Sequence, residues 1–207
     1  MSTANTQQPL SVPGDLDTES AWGAFARHNA AALSETLTLR NGAIVRMRAI
    51  QPSDLARLQE FHARLSSDTI ILRYFRVAPI LYERDAKRLT HLDYHRRMAL
   101  VATTGEGESE RIIGVVRYEP DTATEAELAF VVEDCWQGLG ISSKLLQRLI
   151  RYAQEHGYKT LSAITMATNV RMRAVLAHTG YPTTSRYEDG CLRVTLDIAP
   201  LTAPTGH

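Results

Sequence analysis

Apolar residues recur along this chain at two periods, and the period changes from segment to segment. Over residues 142–156, Leu145, Leu146, Leu149, Ile150 and Ala153 fall at helical spacing, and Gly157 supplies a C-terminal stop. Residues 55–65 place Leu55, Leu58, Phe61 and Leu65 on one side, behind the opening Pro52-Ser53-Asp54. Further helices are expected over residues 68–75 and 82–90. Another follows Thr168 or Asn169 as a cap, with Met172, Val175, Leu176 and Thr179 on one face and a stop at Gly180. Residues 98–103, 111–118, 126–132 and 160–166 are β-rich, and two short strands are expected around Asp189-Gly190. Residues 36–40 and 43–50 alternate about Asn41-Gly42, a dipeptide suited to a type I′ turn, so they predict a hairpin. The resulting order is hairpin, two or three helices, three strands, helix, strand, helix, two strands. It predicts a single α/β domain on a mixed sheet, over residues 35–198.

The ends differ from this middle. Residues 1–17 are rich in Ser, Thr, Asn, Gln, Pro and Gly, too polar to offset ordering entropy, and are expected to be disordered. A short helix is expected over residues 19–33, with Trp22, Phe25, Ala26 and Leu33 on one face and Gly23 weakening it. Packing on its own domain is favoured over docking to a partner. Residues 1–34 thus form a tail plus a short helix, and residues 199–207 a second tail.

Composition narrows the function. Lys+Arg and Asp+Glu both number 23 in 207 residues, so the chain lacks the positive field of a dedicated nucleic-acid binder. The longest apolar runs are about five residues, as at 98–102, against roughly 20 for a membrane span. The first residues have neither a cationic start nor an apolar stretch, so no secretory signal is expected. Cys135 and Cys191 are too few for a disulfide framework and lack metal-ligand spacing. These features point to a reduced, cytoplasmic setting and to no metal.

The chemistry concentrates in EAELAFVVEDCWQGLGISSK, residues 125–144. A strand runs into a loop, Gln137-Gly138-Leu139-Gly140-Ile141-Ser142, and the loop into a helix. Small residues at 138, 140, 142 and 143 let backbone approach a bulky anion, and the first N–H groups of a helix carry partial positive charge. A Walker loop needs Gly before the Lys, but Ser143 precedes Lys144. A dinucleotide fingerprint, Gly138-x-Gly140-x-x-Ser143, needs an acidic residue at the end of the next strand, and residues 160–166 have none. The pyrophosphate loop of an acyl-CoA-dependent N-acyltransferase fits, except that Ser142 stands where Gly or Ala is usual. An ordinary glycine turn before a helix remains the plain alternative.

With this loop, the strand AELAFVVED, the order of elements and NVRMRAVLAHTGY, the chain resembles the GNAT N-acetyltransferase superfamily over residues 37–198. It is closer still to bacterial Pat-type protein-lysine acetyltransferase domains, which SSDTIILRYF and RLTHLDYHRRMALVA also resemble. The resemblance implies a mixed, mostly antiparallel sheet flanked by helices, and acetyl-CoA as acyl donor. It also implies transfer to a primary amine by direct attack: a protein lysine, possibly of an acyl-CoA synthetase, or a small amine. Such proteins often carry a regulatory domain, for which this chain is expected to have no room.

The resemblance assigns the site as well. Glu127 is the candidate general base, on the strand face it shares with Ala129 and Val131; a salt-bridged surface residue is the plain alternative. Backbone groups of Phe130, Val131 and Val132 are expected along the pantetheine arm. Gln137, Gly138, Leu139, Gly140, Ile141, Ser142 and Ser143 are expected around the diphosphate. Asn169 is either a cofactor contact or a plain helix cap. The tyrosine that many members use as general acid is replaced by Leu176. Tyr94, Tyr181 and Tyr187 have no readable position. His91, Cys135 and the basic residues Lys87, Arg88, His95, Arg96 and Arg97 read more plainly as structural or solvated groups. That missing tyrosine and the extra N-terminal helix keep open a non-catalytic acyl-CoA sensor.

Overall fold

The computed structural model describes residues 18–76 and 80–200. The expected disorder of residues 1–17 and most of the expected C-terminal tail lie outside them. The elements are helix α1 (Thr18–His28), strands β1 (Glu35–Thr38) and β2 (Ile44–Ala49), and helices α2 (Leu55–Ala63), α3 (Ser67–Tyr74) and α4 (Glu83–Thr90). Strands β3 (Met98–Thr104), β4 (Arg111–Pro120) and β5 (Glu125–Val132) follow. Then come α5 (Ile141–Glu155), β6 (Thr160–Thr165), α6 (Val170–Ala177), β7 (Thr183–Glu188) and β8 (Cys191–Asp197). The sheet runs β1-β2-β3-β4-β5-β6-β8-β7, and every neighbouring pair is antiparallel except β5 with β6. This is the mixed, mostly antiparallel α/β fold.

Helix α5 turns Ile141, Leu145, Leu146, Leu149, Ile150 and Ala153 inward and packs across β3, β4 and β5. It comes close because β4 has Gly114 beneath it. A Cβ there would lie 3.2 Å from Val132 Cγ2 and 3.4 Å from Ile141 Cγ2. Helices α2 and α3 cover the other face, against β4 and β5. Helix α1 lies on its own domain: Phe25 stacks on Tyr94 with ring centroids 4.5 Å apart, and the Tyr152 hydroxyl donates to the Tyr94 carbonyl at 2.6 Å.

The first hairpin forms, but not with the expected turn. Only Gly42 has positive φ, 81°; the Gly42 N–H bonds to the Leu39 carbonyl and the Leu39 N–H to that of Ala43. That is a three-residue loop closed by a left-handed glycine, a geometry that uses the same Asn-Gly pair. The two-residue I′ form occurs instead at Asp189-Gly190, where φ is 49° and 80°.

The feature that makes the site is a split. Strands β5 and β6 pair over only three positions, Glu125–Thr160, Ala126–Leu161 and Glu127–Ser162, and then part. Strand β5 stays on β4 as far as Val132, and the Glu133 N–H still bonds to the Ile113 carbonyl.

Gly114→Val is expected to push α5 from the sheet. It should lower stability by about 1–3 kcal/mol, as overpacking does, read as a lower midpoint in urea unfolding.

Candidate active site

The split opens a cleft of about 1110 Å3 between the ends of β5 and β6, walled by α3, α6 and the start of α5. Backbone direction along β5 determines what faces it. The Glu133–Ile113 bond sets the alternation, so Glu127, Ala129 and Val131 exchange hydrogen bonds with β4. Phe130 and Val132 then aim their N–H and C=O groups at the side β6 has left. The Val132 carbonyl is taken by the Gln137 amide at 3.0 Å. Of the expected backbone contacts, Phe130 and the Val132 N–H therefore remain open, while Val131 offers only its side chain.

The loop following β5 is an anion cradle. Gly138 and Gly140 have φ of 79° and 88°, which only glycine adopts cheaply, and the space around each is open. The first backbone bond of α5 runs from the Lys144 N–H to the Gly140 carbonyl, at 3.2 Å. The N–H groups of Ile141, Ser142 and Ser143 thus lack intrahelical partners. Among the described residues, those of Gly138, Leu139 and Gly140 have no backbone partner either. Gln137, Gly138, Gly140, Ile141, Ser142 and Ser143 all line the cleft. Leu139 departs from expectation: its side chain packs against the core, so only its backbone belongs to the loop.

Asn169 also lines the cleft. Its Oδ1 accepts from the Met172 N–H at 3.1 Å, so it does cap α6, and among the described residues its amide nitrogen has no hydrogen-bond partner. The 3-10 turn Asp134–Trp136 ties the loop to α3. Asp134 accepts the Ser66 hydroxyl at 2.6 Å, the Ser66 N–H at 2.9 Å and the Thr69 hydroxyl at 2.7 Å. Burial raises the Asp134 carboxyl, but these bonds outweigh it and hold the group below the usual aspartate range.

Glu127 lines the cleft with its side chain exposed, and makes no hydrogen bond or ion pair among the described residues. Its cross-strand neighbour is Glu119. Arg88 holds that carboxylate at 3.1 Å, Arg97 at 3.3 Å and Arg117 at 3.7 Å. Burial raises Glu119, but Arg97, Arg88 and Arg117 together keep it low. Burial in turn pulls the Arg117 guanidinium down to about 9, against the opposing pull of Glu119. The charge beside Glu127 is therefore already compensated. Arg88 and Arg97, read from sequence as solvated, are part of this network.

Leu176, at the position of the missing tyrosine, is fully buried. Tyr94, Tyr181 and Tyr187 donate to the Ile50 carbonyl, Gln154 and the Gly190 carbonyl, and none lines the cleft. The one tyrosine there among the described residues is Tyr74, at the end of α3, which sequence reading did not single out. Cys135 is exposed, 3.8 Å from a Glu133 oxygen and outside the cleft lining. His91 faces Thr90, with Nδ1 3.0 Å from its hydroxyl oxygen.

The fold agrees with what the chain is similar to. Residues 45–182, two thirds of the chain, match the family described as acetyltransferase (GNAT) domain. The acetyltransferase PA5475 of Pseudomonas aeruginosa is 30% identical over 148 residues, covering 70% of this chain and 78% of that protein. The acetyltransferase Pat of Mycolicibacterium smegmatis is 29% identical over 165 residues, covering 79% of this chain and 48% of that one. The chain thus spans about half the length of that relative. The crystal structure of the GNAT domain of S. lividans PAT superposes with a TM-score of 0.73 at 34% identity, over 81% of this chain and 98% of the other. The chain belongs to the GNAT acetyltransferase family. It is accordingly an N-acetyltransferase of the EC 2.3.1 class, with acetyl-CoA as its acyl donor. No helix among the described residues is long and apolar enough to cross a membrane.

Gly140→Ala must hold a side chain at positive φ, a strain of about 1–2 kcal/mol. The free loop is expected to relax out of this conformation, so CoA must restore it, and calorimetry should give about 5- to 30-fold weaker binding.

Proposed function

We propose that the chain moves the acetyl group of acetyl-CoA to the ε-amine of a protein lysine, with Glu127 as general base. The observation that carries this reading is a free, exposed carboxylate in the cleft at the last paired position of β5, three residues before the unpaired Phe130. A free lysine has a pKa of about 10.4, so neutralising it near pH 7 costs roughly 4–5 kcal/mol. A carboxylate taking that proton, directly or through water, removes much of the barrier.

The loop N–H groups and the Asn169 amide hold the cofactor, and the strand groups at Phe130 and Val132 orient its arm. In this reading the Phe130 N–H would donate to the thioester oxygen as negative charge develops. Preorganised donors of this kind are worth about 2.7–4 kcal/mol elsewhere. Solvent protonates the departing thiolate, since Leu176 offers nothing.

A lysine acceptor suits the mouth of the cleft. Leu72 and Phe75 on one side and Val170 on the other give apolar walls, with Phe75 39% and Val170 67% exposed. An aliphatic stem with an amine at its end fits such a passage to a carboxylate. The similarity to the relatives named Pat and PAT supports this reading, with an acyl-CoA synthetase as the acceptor. Two free cysteines accord with a cytoplasmic setting.

Glu127→Gln should lower kcat by about 10²–10⁴ while leaving the Kd for acetyl-CoA within about twofold. The assay is acetyl-lysine formation on an acyl-CoA synthetase, followed by mass spectrometry. Unchanged turnover removes Glu127 as base. Acetyl-CoA binding without acetylation of any protein or small amine would instead make the chain a sensor.

A further inference from the structure

The loop at 138–143 offers an anion backbone dipoles but no formal charge, and the opposite wall supplies one. Arg171, in the first turn of α6, lines the cleft, and its Nη1 donates to the Gln137 Oε1 at 2.5 Å. This contact joins residues 34 apart in sequence, across the gap left by the split sheet. Gln137 is anchored from behind: its Nε2 donates to the Val132 carbonyl at 3.0 Å and lies 3.3 Å from the Thr69 hydroxyl. The guanidinium is therefore held beside the first residue of the loop.

What it is held by matters. Arg64 and Arg193 rest on carboxylates, each at 3.2 Å. Arg171 rests on a neutral amide, and among the described residues no carboxylate lies within 4.0 Å of it. Arg173, two residues on, faces elsewhere and donates to the Ala167 carbonyl at 3.1 Å. Arg171 is thus an exposed, uncompensated cation next to a cradle of six N–H groups. A phosphate oxygen is a better acceptor for a guanidinium than an amide oxygen, because it carries charge and takes two parallel bonds.

We propose that Arg171 is a phosphate ligand of the cofactor: on binding, it leaves Gln137 and grips the diphosphate seated on the loop. This deepens the reading above and rests on that loop holding acetyl-CoA. The diphosphate is assigned, rather than the 3′-phosphate, because Gln137 directly precedes Gly138, the first residue of the cradle.

The test is calorimetry on the full chain, wild type and Arg171→Gln, with CoA and with 3′-dephospho-CoA, at low and high salt. The variant should bind both ligands about ten- to hundredfold more weakly, as loss of a hydrogen bond to a charged group does. It should also show a flatter salt dependence than wild type, with an unchanged melting temperature. Equal affinity of variant and wild type for CoA would overturn the proposal. A loss with CoA but not with 3′-dephospho-CoA would overturn the diphosphate assignment and move Arg171 to the 3′-phosphate. If wild type itself binds no CoA, the cofactor seat fails before Arg171 is at issue.

Discussion

Two parallel strands that stop pairing after three positions are the constraint on which everything else depends. Unpaired backbone groups inside a protein are costly, so a sheet opens only where something else satisfies them. Here one is met internally, the Val132 carbonyl by Gln137, and the rest face a cleft. A strand edge that water or ligand must complete offers hydrogen bonds to an extended chain. The same split leaves Glu127 at the fork, where the last ladder position meets the opening.

Three attachments hold the fork open. Gly114 lets α5 sit low enough on the sheet for its N-terminus to meet the end of β5. Asp134, bonded to Ser66 and Thr69, fixes α3 as one wall of the cleft. Asn169 caps α6 and sets the opposite wall. Each ties a cleft element to a rigid neighbour, so the site is preorganised by packing and short hydrogen bonds. Beneath it, Glu119 with Arg88, Arg97 and Arg117 balances charge on the sheet face that carries Glu127.

Much of this was legible before the structure. Helix α5 declared itself because five apolar residues kept one phase up to Gly157, and the loop because only glycine tolerates the φ values at 138 and 140. The alternation of β5 put Glu127, Ala129 and Val131 on one face, and in the structure Ala126, Leu128 and Val132 of the other face are buried while Phe130 is half-buried. The first turn differs from the expected one because Asn-Gly serves two hairpin geometries, and the register of the two flanking strands decides between them. What sequence could not supply is pairing across distance. The Asp134 tie joins residues 65 and 68 apart, and the Arg117 contact with the Leu89 carbonyl joins residues 28 apart. Such contacts carry no period. An Arg inside the apolar run IIGVVRY was the only hint of the network under Glu127. Likewise the Leu at 176 could be seen to be no acid, but not that it is sealed in the core.

The central claim is that the cofactor completes the unpaired edge and the loop together. Amide hydrogen exchange with and without acetyl-CoA tests it directly. The account predicts slowed exchange at residues 138–143 and at Phe130 and Val132, with little change in β1 and β2. Acetyl-CoA that binds while those amides exchange as before would contradict it.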